Sequence, residues 1–230
     1  MEIEYTGMIK EDSIIFDMSE IKKISEHAQK PLVFDTTNKK LAEDNGFYNE
    51  NMEYGPIVVC IGEQHILAGL ERALEGKELG KYKIELKPED AFGKKDAKLI
   101  QLISTSKFRK QNIQPIPGLQ VNIDGVMGIV KTVSGGRTLV DFNHPLAGKD
   151  LVYEVDVKRI VEDDKEKVKS YIKLALNLKD ANVKIENNEA SVELKKEIPK
   201  EAEKQLAKKI QELIPALKKV AFIIQKEQKK

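Results

Sequence analysis

Short apolar and aromatic groups, set far apart, constrain this chain more than any other feature. Tyr5-Thr6-Gly7-Met8 and Phe16-Asp17 stand near the start, and Val58-Val59-Cys60-Ile61-Gly62 runs into Ile66-Leu67-Ala68-Gly69-Leu70-Glu71 after a gap. Pro88-Glu89-Asp90-Ala91-Phe92-Gly93 follows, and then nothing comparable until Asn143-His144-Pro145-Leu146-Ala147-Gly148, which closes on Leu151-Val152-Tyr153-Glu154-Val155. Tyr82, Ile84 and Leu86 alternate with Lys and Glu, the period of a half-buried antiparallel strand. Ile66, Leu67, Leu70 and Leu74 fall at helical spacing, with Gly76 as the stop. Residues 2–92 therefore read as short strands and turns with one short helix packed on a twisted sheet, an α+β class.

Two further stretches carry their own patterns. In 95–142, Val121 to Val126 reads as strand, turn and strand, Ile129 to Val133 continues, and Gly135-Gly136 turns the chain back along Thr138-Leu139-Val140. Pro115, Pro117 and Gly118 mark an irregular lead-in. In 163–230, Val168, Tyr171, Ile172, Ala175 and Leu176 define an amphipathic helix. Val183 and Ile185 face Val192 and Leu194 across Asn187-Asn188, a type I′ hairpin signal. Pro199 opens a second helix that runs to Pro215, and Val220 to Ile224 is a last strand. The order is αββαβ.

Composition narrows the classes. A third of the residues are charged and no apolar run approaches the length of a bilayer span. The start, Glu2-Ile3-Glu4-Tyr5, lacks the layout of a signal peptide, so the expected compartment is the cytoplasm. One cysteine, Cys60, excludes an intrachain disulfide and a Cys-based zinc site, and its apolar setting predicts an inert thiol. The near-neutral net charge hides an asymmetry: residues 1–92 carry 11 basic against 19 acidic side chains, and 163–230 carry 17 against 12. In the latter, Lys and Glu interleave as on a solvated face, so an RNA or ribosome adaptor is a weaker reading and no nucleic-acid partner is expected.

In their order, the six groups resemble the FKBP-type peptidyl-prolyl isomerases. Asn143-His144-Pro145-Leu146-Ala147-Gly148 is similar to the SlyD-like branch, here in a long archaeal form with an extra C-terminal domain. The resemblance covers residues 2–161 and does not reach 163–230. It implies a discontinuous isomerase domain, 1–92 plus 143–162, interrupted by a β-rich inserted-in-flap chaperone domain, 93–142, and followed by a C-terminal α/β domain, 163–230. Relatives bridge 18–55 with a shorter loop, so this stretch is expected to be an enlarged loop. Ile21-Lys22-Lys23-Ile24 would be a short helix in it, and Phe47, Tyr48, Met52 and Tyr54 would pack it down.

The resemblance also implies the site. Tyr5, Phe16, Asp17, Phe92 and Tyr153 are the expected catalytic residues, and Ile57, Val59, Ile66, Leu67, Leu70, Leu146 and Ala147 the expected peptide-binding wall. Such a site looks like core because the chemistry needs no nucleophile. The barrier to rotation, ~18–20 kcal/mol, comes from amide resonance that the twisted transition state has lost. Water favours the polar planar amide, so an apolar site that excludes water lowers the barrier. Asp17 would orient Tyr5 and lie against the carbonyl preceding proline. Leu70 stands where many relatives have a large aromatic floor, and Phe92 replaces the usual Tyr hydroxyl donor, a loss of about 0.5–1.5 kcal/mol of binding.

His27, His65 and His144 are dispersed and the C-terminus has no histidine, so neither metal nor cofactor is expected. His144 is expected to serve backbone bonds in its turn. Expected partners are unfolded polypeptides with X-Pro bonds, held by a surplus among the apolar residues of the insertion, Leu99, Ile100, Leu102, Ile103, Phe108, Ile113, Ile116, Met127, Ile129 and Val130, some of which form its own core. A non-enzymatic chaperone with a vestigial pocket is the rival reading. The last strand, apolar on both faces, predicts a homodimer through residues 163–230.

Overall fold

In a computed structural model of the chain, the described residues are 1–10, 32–178, 181–195 and 197–224. Phe16, Asp17 and Ile21-Lys22-Lys23-Ile24 lie outside them. Among the described residues the architecture is mixed α+β, with three sheets and few helices. The first sheet joins β1 (Glu2–Ile9), β2 (Leu32–Thr36), β3 (Ile57–Val58), β4 (Gly80–Leu86) and β9 (Leu151–Arg159), in the order β2-β1-β9-β4 with β3 on β1. β3 runs antiparallel to β1, with Glu2 opposite Val58 and Ile3 opposite Ile57. The alternation of β4 is kept: Ile84 and Leu86 are buried while Lys83 and Glu85 face solvent.

The stretch expected to be an enlarged loop holds two regular elements, β2 and a short helix α1 (Lys39–Asp44). Asn38 caps α1 by accepting the N–H of Leu41 at 3.1 Å. Thr36 and Thr37 fasten the end of β2, since both hydroxyls donate to the carbonyl of Tyr5. Tyr48 and Tyr54 stack at 5.4 Å, yet Tyr48 and Met52 stay exposed, so the aromatic residues of this stretch pack partly on each other.

Two compact units divide the chain: residues 1–6, 36–82 and 154–230 in one, 7–35 and 83–153 in the other. Within the first, helix α2 (Ala68–Leu74) buries Leu70 and Leu74 and ends where Gly76 takes a positive φ. The same unit contains α4 (Asp164–Leu176), β10 (Asn182–Glu186), β11 (Glu189–Leu194), α5 (Lys200–Leu213) and β12 (Lys219–Ile224). These follow the expected αββαβ order. Asn187 and Asn188 both have positive φ, the geometry a type I′ turn demands. β11 is central, antiparallel to β10 and parallel to β12. Val168, Ile172, Val183, Val192, Ile210 and Leu217 are among its core residues. The inner face of β12 is covered within the chain, with Val220 buried and Phe222 packed on that core, whereas Ile223 is 49% exposed.

In the second unit, β5 (Ile100–Ser104), β6 (Gln120–Ile123), β7 (Val126–Ser134) and β8 (Arg137–Asp141) form a sheet ordered β5-β8-β7-β6. The Gly135-Gly136 turn joins β7 to β8 with two positive φ angles. β5 and helix α3 (Thr105–Lys110) were not anticipated from the pattern; α3 is six residues long, too short to show a helical period. It supplies Phe108 to a small core with Val121, Val130 and Val140. Leu102, Ile116, Val126 and Met127 remain exposed, as a unit this small cannot enclose all its apolar side chains. No helix among the described residues is long and apolar enough to cross a membrane.

Candidate active site

In the second unit the aromatic residues of separate sequence groups meet. Phe34 of β2 lies edge-on to Tyr153 of β9, with ring centroids 5.9 Å apart, and edge-on to Phe92 at 6.3 Å. Phe92, presented by the turn that follows the 3-10 segment Pro88–Asp90, stacks on His144 at 4.3 Å with the rings nearly parallel. Gly7 is the close approach that permits this. A Cβ there would stand 2.9 Å from Phe34 Cζ and 2.9 Å from Tyr153 Cε1. The glycine of the Tyr-Thr-Gly group is thus a packing requirement, since its φ is not in the left-handed region.

The Asn143–Gly148 group has a legible purpose. Asn143 accepts the N–H of Asp96 at 2.8 Å and donates to the Asp96 carbonyl at 3.0 Å, pinning together the chain segments that flank β5 to β8. Gly148 N–H donates to the Gly93 carbonyl at 2.8 Å across the same junction. Asp141 accepts the Asn143 backbone and side-chain N–H groups and pairs with Lys95 at 3.3 Å. Burial pushes the Asp141 carboxyl up, but those three partners outweigh it and hold the group below the usual carboxylate range. His144 Nδ1 accepts the N–H of Leu146 at 3.1 Å, the turn-stabilising bond expected of it, while its ring face covers Phe92. Ala147 is buried and Leu146 half-buried.

In the first unit, Tyr5 is half-buried on β1, where its N–H donates to Thr37 Oγ1 at 2.9 Å. Thr6 Oγ1 bonds Thr36 Oγ1 at 2.8 Å. Val59 and Leu70 are buried, whereas Ile57, Ile66 and Leu67 are half-buried. Leu67 occupies the N-terminal boundary of α2, and Ile57 also lines a cleft of about 420 Å³ beside α4. Burial pushes the Cys60 thiol up, with Glu63 adding to the effect, so the thiolate is disfavoured. His65 is lowered by burial, and its Nδ1 accepts the N–H of Cys60. No group of three or more His, Cys, Asp or Glu among the described residues could hold a metal ion.

Phe34 was missed in the sequence. Its signal was the Leu32-Val33-Phe34 run, rich in strand formers, inside a stretch read as loop.

Three aromatic rings from separate stretches of the chain thus pack into one apolar cluster, with Gly7 against two of them. A family model described as FKBP26, IF domain matches residues 101–146. A short-type peptidyl-prolyl cis-trans isomerase of Methanocaldococcus jannaschii is 32% identical over 129 residues, 56% of this chain and 82% of the relative. A probable FKBP-type 16 kDa peptidyl-prolyl cis-trans isomerase of Pseudomonas fluorescens is 32% identical over 121 residues, 50% of this chain and 79% of the relative. The SlyD protein of Pasteurella multocida, an FKBP-type isomerase by name, is 30% identical over 120 residues, 50% of this chain and 60% of the relative. The chain belongs to the FKBP-type peptidyl-prolyl cis-trans isomerase family.

Proposed function

We propose that this chain rotates X-Pro bonds in an apolar pocket of its isomerase domain, residues 1–92 with 143–162, while the inserted domain, 93–142, holds unfolded client. The observation that carries the reading is the ring cluster in which Phe34 and Tyr153 pack against Gly7 and Phe92 lies edge-on to Phe34, in a member of this family. The residues proposed for catalysis are Tyr5, Phe16, Asp17, Phe92 and Tyr153, and those proposed for peptide binding are Ile57, Val59, Ile66, Leu67, Leu70, Leu146 and Ala147. Excluding water there removes the solvent's preference for the planar amide. Asp17 orients Tyr5. Phe92 offers no hydroxyl; its stacking on His144 keeps that wall apolar. Client binding is supported by the exposure of Leu102, Ile116, Val126 and Met127 on one small domain. The single cysteine favours the cytoplasm as the place of action.

The test is a protease-coupled assay on an X-Pro peptide. Leu67→Ala should lower kcat/KM about tenfold, since covering the exposed part of this half-buried Leu with the peptide contributes about 1.4 kcal/mol, roughly half of a full Leu burial. Asp17→Ala should do at least as much. Wild-type turnover in both variants sinks the site. A wild-type chain that suppresses aggregation but gives only the uncatalysed rate favours the vestigial-pocket chaperone.

Residues 163–230 are proposed to form a homodimer. Among the described residues β12 has one sheet neighbour, β11, and it exposes Ile223 and Ile224. Sedimentation compares the full chain with one truncated after Asp163. A full-length monomer at micromolar concentration, or a truncated dimer, removes this interface.

A further inference from the structure

The turn between β3 and α2 is held from two directions. From α2, the buried Glu71 carboxylate accepts the N–H of Gln64 on both oxygens, at 3.0 and 3.2 Å. Gln64 has a φ of 56°, a conformation that L side chains adopt at a steric cost and that this bond compensates. From the C-terminal helices, Lys209 of α5 pairs with Glu63 at 2.9 Å, and the Tyr171 hydroxyl of α4 donates to the same carboxylate at 3.5 Å. The Tyr171 ring also lies 5.4 Å from that of His65. Glu63 is well enclosed, its side chain 13% exposed. Ile66 and Leu67 follow at once, so the turn's placement determines theirs.

We propose that Glu63 is a positioning residue through which α4 and α5 set Ile66 and Leu67 for the X-Pro peptide. This rests on the pocket proposed above and assigns the C-terminal domain a part in peptide affinity. Glu63 touches no reacting atom. Loosening it lets the two wall residues shift, which weakens binding of planar and twisted amide alike and raises KM more than it lowers kcat.

Full-length chains carrying Lys209→Glu, Tyr171→Phe, or the exchanged pair Glu63→Lys with Lys209→Glu are compared on one X-Pro peptide, with thermal melting in parallel. Lys209→Glu should raise KM about three- to tenfold with kcat nearly unchanged, the scale of a partly exposed ion pair and its local consequences. Tyr171→Phe should raise it less, and the exchanged pair should restore it. A lower melting temperature with unchanged KM overturns the proposal, as does a KM rise that the exchange leaves in place. Leu67→Ala separates the two levels. If it costs turnover while Lys209→Glu does not alter KM, only this inference fails; if it retains full turnover, the pocket fails and this inference with it.

Discussion

Removing residues 95–142 and closing the gap with a short loop should cut catalysed refolding of a proline-limited protein about a hundredfold while a short X-Pro peptide is still isomerised. The junction makes the deletion feasible. Gly148 N–H bonds the Gly93 carbonyl at 2.8 Å, so the cut ends already lie side by side. The insertion has its own core of Phe108, Val121, Val130 and Val140, and taking it out removes those residues together. On the proposed function, what is lost is a surface that keeps client chains near the pocket. Holding a chain there turns a bimolecular encounter with each proline into an intramolecular one. Equal loss in both assays would mean that the insertion only supports the pocket, and unchanged refolding catalysis would end its chaperone role.

Gly7→Ala should combine a stability loss of about 1–3 kcal/mol with a fall in turnover of up to about a hundredfold. The new methyl would sit 2.9 Å from ring atoms of both Phe34 and Tyr153. Neither ring has a flexible end to yield, and Tyr153 is 2% exposed, with its surroundings packed. Relief comes only from moving the rings or bending β1. Ring displacement of about 1 Å is enough to spoil placement of a bound amide. Calorimetry and the peptide assay on the same preparation separate the effects. Lower stability with full turnover would place Tyr153 outside the site.

Local pattern and tertiary packing divided the information unevenly. β4 was legible because its alternation spans the whole strand, and the β10–β11 hairpin because Asn187-Asn188 carries its own turn chemistry. α2, α4 and α5 were legible from helical spacing sustained over two or more turns. β2, β5, α1 and α3 were not, because five or six residues give too few repeats to distinguish a period from chance. The site was named from the order of its groups, and that order carries no distances.

By itself, the sequence determined the family, the α+β class, the αββαβ order of the last 68 residues and the apolar character of the proposed site. These depend on residue type and spacing along the chain. Only the tertiary structure decided that Phe34 joins Phe92 and Tyr153, that Gly7 is demanded by two rings, that Asn143 ties itself to Asp96, and that Lys209 and Tyr171 converge on Glu63. Each joins residues tens to more than a hundred positions apart. Chain statistics between such points are nearly flat, because the entropy of closing a loop changes only logarithmically with its length. Which distant partners meet is therefore settled by how the packed elements fit.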